Sequence, residues 1–447
     1  MILPTRLPQG ISLCAALLLS ACASLEPGPR PVRPVASPAT SDEVPVQAGP
    51  AREAAPEPAA AELSWSEAWR AIQARDLGLR GLEAETRALE WEAKAAGIAD
   101  PASMGLDIED FAGQDDLRGL RGAQSTLWYS APWQDREKLE GRAQVAQARL
   151  LALRAQHASR TRTLELQARE VFLEALGAQA QAELAADLAA RLEPFAQVVE
   201  ARVAGGKASE LDRRQFELAR RRAALAAEQA QRERDQANRR LAALWAGTPR
   251  FERLAGELAG PQDGDLGAEA NRLETPDWAR ADIESQLAVA QAEARQAGLE
   301  RRRDLTWTVG LRRYEDSDSF AAMVGLEWPL VRRSAGRASE EAARARLVRA
   351  GLERDQANLD WSLEEAHQIA ALRQSAQALR ELQSGLLPEA EWSLETVQGG
   401  YRQGRFSMLE VLAAQDTWFE LRAEELAWRV QYQLRLAQRR IRMGMEQ

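Results

Sequence analysis

The chain has 447 residues, is 45% hydrophobic and 28% charged, and carries a net charge of −9, an acidic balance that argues against a nucleic-acid partner. Its two cysteines are Cys14 and Cys22, and its two histidines, His157 and His367, lie far apart and outside any metal-spacing motif. Neither a disulfide framework nor a metal centre is expected, and length alone, which allows two or three domains, has to be weighed against the internal organisation.

Arg6 and the apolar run Ile11 to Leu19 read as an export signal too short to span a bilayer. The run ends in Leu19-Ser20-Ala21-Cys22, which matches the lipobox of bacterial lipoproteins. Residues 1–21 are then the signal peptide, with lipid on Cys22, and Ala23 in place of Asp favours sorting to the outer membrane. Residues 22–62 are rich in Pro, Ala, Gly and Glu and read as a flexible, lipidated tether, because they cannot bury enough apolar surface to order themselves.

Everything after the tether is built twice, over residues 63–265 and 266–447. Gly206, Ser209, Leu211 and Asp212 fall on Gly404, Ser407, Leu409 and Glu410 at one constant offset. A repeat of roughly 200 residues is too long for a solenoid unit and means a duplicated subdomain.

Each repeat opens on a helix, Trp65 to Ala96 in the first and about Pro276 to Gly298 in the second. Two alternating segments follow in each, about 102–111 and 123–132, then about 305–314 and 320–330. In Leu305-Thr306-Trp307-Thr308-Val309-Gly310-Leu311 the odd positions are apolar and the even ones small or polar. Phe320, Ala322, Val324, Leu326 and Trp328 form the apolar set of the next segment, and Met104, Leu106, Ile108, Leu127, Tyr129 and Ala131 form a weaker set in the first repeat. Each segment has about the 9–11 residues that a tilted strand needs to cross a bilayer. A long helical hairpin completes each repeat, with tips at about 204–209 and 402–407. The descending arm from Asp135 to Val203 makes a rod of roughly 105 Å at ~1.5 Å per residue.

Four strands cannot close on themselves, and lipid does not tolerate an open sheet edge. Sharing among three copies gives twelve strands. The expected fold is therefore mainly α with a membrane β-barrel portion: a duplicated protomer, each repeat a long helical hairpin plus a two-strand β-hairpin. It trimerises into a 12-stranded outer-membrane β-barrel continuous with a periplasmic α-helical barrel.

These residues resemble the TolC-like outer-membrane efflux proteins. The strongest stretch is Tyr401-Arg402-Gln403-Gly404-Arg405-Phe406-Ser407-Met408-Leu409-Glu410, with Leu386-Leu387-Pro388 before it. Leu106-Asp107-Ile108-Glu109-Asp110-Phe111-Ala112-Gly113 and Leu326-Glu327-Trp328-Pro329-Leu330 are similar to the CzcC-like cation-efflux branch. The resemblance implies a homotrimeric channel, lipid-anchored in the outer membrane and reaching into the periplasm. There it meets a periplasmic adaptor (membrane fusion) protein and an RND-type inner-membrane pump. It also implies that Glu410 and Asp212 form an acid ring at the periplasmic gate and that Tyr401, Arg405 and Asp212 latch the tip. Gly206, Gly404, Ser209 and Ser407 then build the tip turns.

No nucleophile elbow, dinucleotide fingerprint or His/carboxylate cluster is present, so neither enzyme activity nor a cofactor is expected. The leading reading is a passive conduit for heavy-metal cations. A conduit for drugs or for type I protein secretion is the alternative within the fold, and a periplasmic coiled-coil scaffold lipoprotein is the alternative outside it. Anchoring separates these readings. Cys22→Ala is expected to abolish lipid labelling while the protein still fractionates with the outer membrane; a soluble periplasmic monomer would show that the acyl chains were the sole anchor.

Overall fold

The computed structural model describes residues 61–110, 114, 122–261, 276–302, 304–328 and 333–444. The signal, Cys22, nearly all of the tether, Phe111 to Gly113, Pro329 and the boundary between repeats lie outside the described residues. The chain divides into residues 1–53 and 54–447. All of the described residues lie in the second unit.

Its elements are β1 (Glu62–Leu63), α1 (Trp65–Arg75), α2 (Leu77–Ala96), β2 (Ser103–Glu109), β3 (Gln124–Trp133), α3 (Arg136–Ala204), α4 (Glu210–Ala243), β4 (Arg253–Leu254), α5 (Asp277–Leu299), β5 (Leu305–Tyr314), β6 (Ser319–Glu327), α6 (Arg333–Glu381), a π-helical turn (Leu382–Leu386), α7 (Leu387–Gln403) and α8 (Met408–Met443). Among the described residues no helix is long and apolar enough to cross a membrane.

The strands β2, β3, β5 and β6 form one antiparallel sheet in that order, so the hairpins of the two repeats join through β3 and β5. The register sorts the side chains by face. Met104 lies opposite Tyr129, Tyr129 opposite Val309, and Val309 opposite Val324; Leu106, Leu127, Leu311 and Ala322 make the adjacent row. These rows make one face hydrocarbon, with Ser125 and Arg313 entering only in the row next to the loops, yet Met104 is 74% and Val324 76% exposed. Trp133 and Trp307 sit on this face at the end nearest the helices, with Tyr129 5.6 Å from Trp307, as aromatic side chains do where a barrel meets the headgroups. The other face carries Asp107, Thr126, Ser130, Thr308 and Arg312, cross-linked by Arg312 to Thr126 (2.9 Å) and Gln124 (3.1 Å) and by Thr308 to Ser130 (3.0 Å). A sheet apolar on its exposed face and hydrogen-bonded on the other matches the wall of a polar pore in lipid.

The strand expected to run to residue 111 stops at Glu109, because Asp110 turns to φ 56° and accepts a hydrogen bond from Gln124 Nε2 (2.8 Å). The single helix expected over Trp65 to Ala96 is two: Asp76, extended at ψ 117°, ends α1 and caps α2 by accepting from the Leu79 N–H (2.7 Å). The second descending arm holds the π-turn just before Pro388. Proline has no N–H to give the preceding turn and its ring crowds the carbonyl there, and a wide turn relieves both.

Ionic staples join sheet to helices. Lys138, buried at the start of α3, donates to both Asp304 oxygens (3.0 Å) and to the Arg302 carbonyl, while Arg302 reaches back to Asp135 (2.8 Å) and Glu137. The Arg302 guanidinium, followed by the Glu137 N–H, holds Asp135 below the usual carboxylate range. The strand-to-helix joint of the first repeat is therefore locked to the helix-to-strand joint of the second.

The main core lies at mid-length, where Ile72, Phe172, Leu241 and Trp245 close over the parallel pair β1–β4. Gln179 ties that pair to α3, accepting from the Leu254 N–H (2.8 Å). A second cluster, Leu372, Leu379, Tyr432 and Leu436, joins α6 to α8 beside the fully buried ion pair of Arg439 and Glu365.

The two sheet faces differ in what they tolerate. Val324→Arg is expected to block assembly in the membrane, since a cation at mid-bilayer costs ~2–4 kcal/mol per copy, whereas Glu327→Arg on the other face still assembles. Heat-resistant oligomers in outer-membrane fractions report both; equal effects would mean that the faces are misassigned.

Candidate functional site

The two helical tips lie at the end of the hairpins away from the sheet, and each is built the same way. The first arm ends with Gly206 at φ 67° and the second with Gly404 at φ 82°, a left-handed conformation that costs glycine nothing. The turns close by identical backbone bonds, Lys207 N–H to the Arg202 carbonyl (2.8 Å) and Arg405 N–H to the Gly400 carbonyl (2.9 Å). Ser209 and Ser407 then cap the return helices. Ser209 Oγ accepts from the Asp212 N–H (3.1 Å), and Asp212 Oδ2 accepts from the Ser209 N–H and hydroxyl (both 2.8 Å). Glu410 repeats the pattern with Ser407, accepting at 2.7 and 2.8 Å. Such a box stabilises a helix start by about 1 kcal/mol.

The duplicated carboxylates are thus first of all capping groups. They differ from their neighbour Glu210, which Arg213 (2.9 Å) and Arg214 (3.4 Å) neutralise and hold at a pKa of about 2. Asp212 and Glu410 make no ion pair among the described residues, and Glu410 is exposed. The Ser407 N–H and hydroxyl hold Glu410 below the usual carboxylate range. Its folded-state pKa is depressed, so its capping contribution is full above the ordinary carboxylate range and is lost as pH falls through the lowered value.

Tyr401 is buried and packs against Phe195 (5.7 Å), which in turn meets Phe216 (5.8 Å); Leu192, Val199, Met408 and Val411 complete this tip core. Burial pushes the Tyr401 phenol up, the Arg202 guanidinium opposes this, and the Asp212 charge adds to it. The tyrosine hydroxyl nevertheless has no hydrogen-bond partner in the described residues, and the Asp212 oxygen that the family resemblance would give it serves Ser209. Arg405 is exposed at the turn, and its backbone N–H makes the closing bond to Gly400.

A residue the sequence reading passed over joins the tips. Arg202 donates from Nη1 to the Tyr401 carbonyl (2.5 Å) and the Arg402 carbonyl (3.3 Å), and from Nη2 to the Lys207 carbonyl (3.0 Å). Its guanidinium also lies 4.6 Å over the Tyr401 ring. One side chain therefore bonds both tip turns. The duplication held the one available signal: Arg202 corresponds to Gly400, where the Phe406 ring fills the space that a side chain would need, a Cβ there lying 2.6 Å from Phe406 Cε2. Beside the tips a groove of about 350 Å³ is lined by Arg191, Phe195, Glu395, Arg402 and Trp418. Among the described residues no cluster of three His, Cys, Asp or Glu side chains is placed to hold a metal ion.

No family model matches the chain. The cobalt-zinc-cadmium resistance protein CzcC of Cupriavidus metallidurans is 30% identical over 310 residues, which is 63% of this chain and 66% of CzcC, so the chain spans just under two-thirds of that relative's length. The outer membrane protein VceC of Vibrio cholerae aligns in three dimensions with a TM-score of 0.67 at 17% identity, over 85% of this chain and 96% of VceC. The open-state MtrE outer membrane channel of Neisseria gonorrhoeae gives 0.66 at 15% identity, over 85% and 89% of the two chains. Those identities speak for the fold alone. Together with the sequence similarity to CzcC, the duplicated hairpins and the shared sheet, they show that the chain has the fold of these outer-membrane channels.

Proposed function

We propose that three copies of this chain form a passive outer-membrane conduit for heavy-metal cations. The observation that carries the reading is the sheet: one face is largely exposed hydrocarbon, the other is largely polar, and the edges β2 and β6 are unpaired among the described residues. In lipid both edges need partners, and an even number of antiparallel strands lets β6 of one copy meet β2 of the next. A periplasmic scaffold would leave that hydrocarbon face in water. The helical hairpins extend the path into the periplasm, where a periplasmic adaptor protein and an inner-membrane pump, of RND type in this reading, deliver the substrate. The cation substrate is favoured by the relationship to a cobalt-zinc-cadmium resistance protein. Lipid on Cys22 adds a second hold on the membrane.

The periplasmic mouth is the filter in this reading. Around a threefold axis, Glu410 and Asp212 bring three to six carboxylates together without cationic partners. Like charges raise one another's proton affinity and attract a multivalent cation, against the lowering that Ser407 imposes on Glu410 within each chain. Arg202 is the positioning residue of the latch, because it bonds both tip turns of a chain; Tyr401 supplies the buried surface beneath it.

Planar-bilayer conductance with divalent cations titrated from the periplasmic side tests this. Glu410→Gln keeps the capping box, since glutamine serves at that position, and removes only the charge. It is expected to weaken divalent block about tenfold, and half-buried Asp212→Asn to weaken it less. Arg202→Gln is expected to raise conductance while leaving the block in place, because it frees the tips without touching the acids. Parent-like block in Glu410→Gln would reduce that carboxylate to a helix cap. Block by bulky organic solutes but not by divalent cations would favour the drug conduit.

A further inference from the structure

A tryptophan stands on the polar face of the sheet, and the tips do not account for it. Across that face, Gly105 of β2, Trp128 of β3, Gly310 of β5 and Met323 of β6 form a single row. The Trp128 indole does not stand away from the sheet. It lies down across the neighbouring strand, over Gly105, and its Nε1 donates to Asp107 Oδ2 (2.8 Å). A Cβ at position 105 would sit 2.6 Å from Trp128 Cε2 and 3.0 Å from Nε1, too close for the ring to stay. On the other side, a Cβ at position 310 would meet the Leu127 carbonyl oxygen (3.0 Å), Met323 Cε (3.1 Å) and Trp128 Cβ (3.3 Å). The neighbouring rows carry Asp107, Thr126, Arg312 and Ala321 on one side, with Arg312 tied along the sheet to Thr126 (2.9 Å) and Gln124 (3.1 Å), and Ser130, Thr308 and Gly325 on the other.

Glycine inside a strand weakens it unless something requires the space. Here the requirement is visible at Gly105: the glycine is the resting place of the ring, and the Asp107 carboxylate is its tether. A pore is set by what lines it, and an indole is the largest group that a strand can present. We propose that Trp128 sets the calibre of the outer-membrane pore, with Gly105 and Asp107 holding its ring flat against the wall so that the lumen stays open at this level. The inference rests on the trimeric conduit described above. Three copies place three such indoles at one height, and any change that lifts them narrows the path three times over.

The test is single-channel conductance of purified, bilayer-inserted oligomers in a monovalent salt, with parent and variants all carrying Arg202→Gln so that the tips do not limit the current, and with heat resistance of the oligomer measured alongside. Gly105→Ala is expected to lower conductance about twofold or more in oligomers as heat-resistant as the parent, because the displaced ring enters the lumen. The double change Gly105→Ala with Trp128→Ala is expected to restore conductance to the parent value or above. Should Gly105→Ala fail to assemble, Asp107→Ala cuts the tether without filling the resting place. The same drop and the same rescue by Trp128→Ala are then expected, and rescue separates ring displacement from simple loss of a charge. Parent-like conductance in an assembled Gly105→Ala oligomer, or a drop that Trp128→Ala does not reverse, would overturn the proposal. If the parent itself forms no conducting oligomer, the conduit reading fails instead, and the two failures are told apart in one experiment.

Discussion

An unpaired strand edge cannot rest in hydrocarbon, and this chain has two of them. The sheet β2-β3-β5-β6 satisfies every internal ladder and leaves the outer sides of β2 and β6 open, beside a face of exposed aliphatic side chains. Each orphaned N–H or C=O in a bilayer core costs several kcal/mol, far more than a marginally stable fold can spare. The remaining architecture answers to that constraint. The strand-to-helix joints are locked by Lys138, Asp304, Arg302 and Asp135, so the sheet cannot swing relative to the helices below. A closed ring of strands then enforces a closed ring of helices.

At the opposite end two Schellman turns and two capping boxes, the boxes worth on the order of 1 kcal/mol each, close over the buried core of Phe195, Phe216, Tyr401 and Met408. Such separable turns and caps suit the latch proposed for the tips. Arg202 concentrates the coupling between the two hairpins in one exposed-to-half-buried side chain whose three acceptors are all backbone carbonyls. Its loss removes the link without unfolding either turn. The carboxylates of Asp212 and Glu410 serve the helix starts within a chain and make no ion pair among the described residues, which leaves their charge available in the proposed trimer.

What could be read from the residues was whatever is encoded locally and twice. Glycine followed by a Ser-x-x-acid pattern marks a left-handed turn and a capping box wherever it occurs, and the duplication supplied two instances. Strand alternation was legible because one side of each strand faces hydrocarbon, and Val309 and Val324 share the face that their parity assigns. The break at Asp76 was not legible, since an aspartate inside an amphipathic run reads equally as a solvated helical residue until Leu79 N–H is seen to need an acceptor. The pairing of β1 with β4 joins two-residue strands with no periodicity to detect. The buried pair Glu365 and Arg439 hides among many exposed Glu and Arg on long helices. Arg202 was missed for the same reason: two of its three acceptors are carbonyls of the other repeat, and no composition rule points across that distance.

The central claim is that β6 of one copy pairs with β2 of another. Disulfide trapping tests it directly, in a chain with Cys22 replaced by Ala, using single cysteines at Ser103, Asp107 or Glu109 of β2 combined with Ala321, Met323 or Gly325 of β6. The account predicts covalent dimers and trimers on non-reducing gels along an antiparallel diagonal, so that the best β6 partner moves toward Ser319 as the β2 cysteine moves toward Glu109. Monomers at every combination, or partners that advance in parallel, would contradict it.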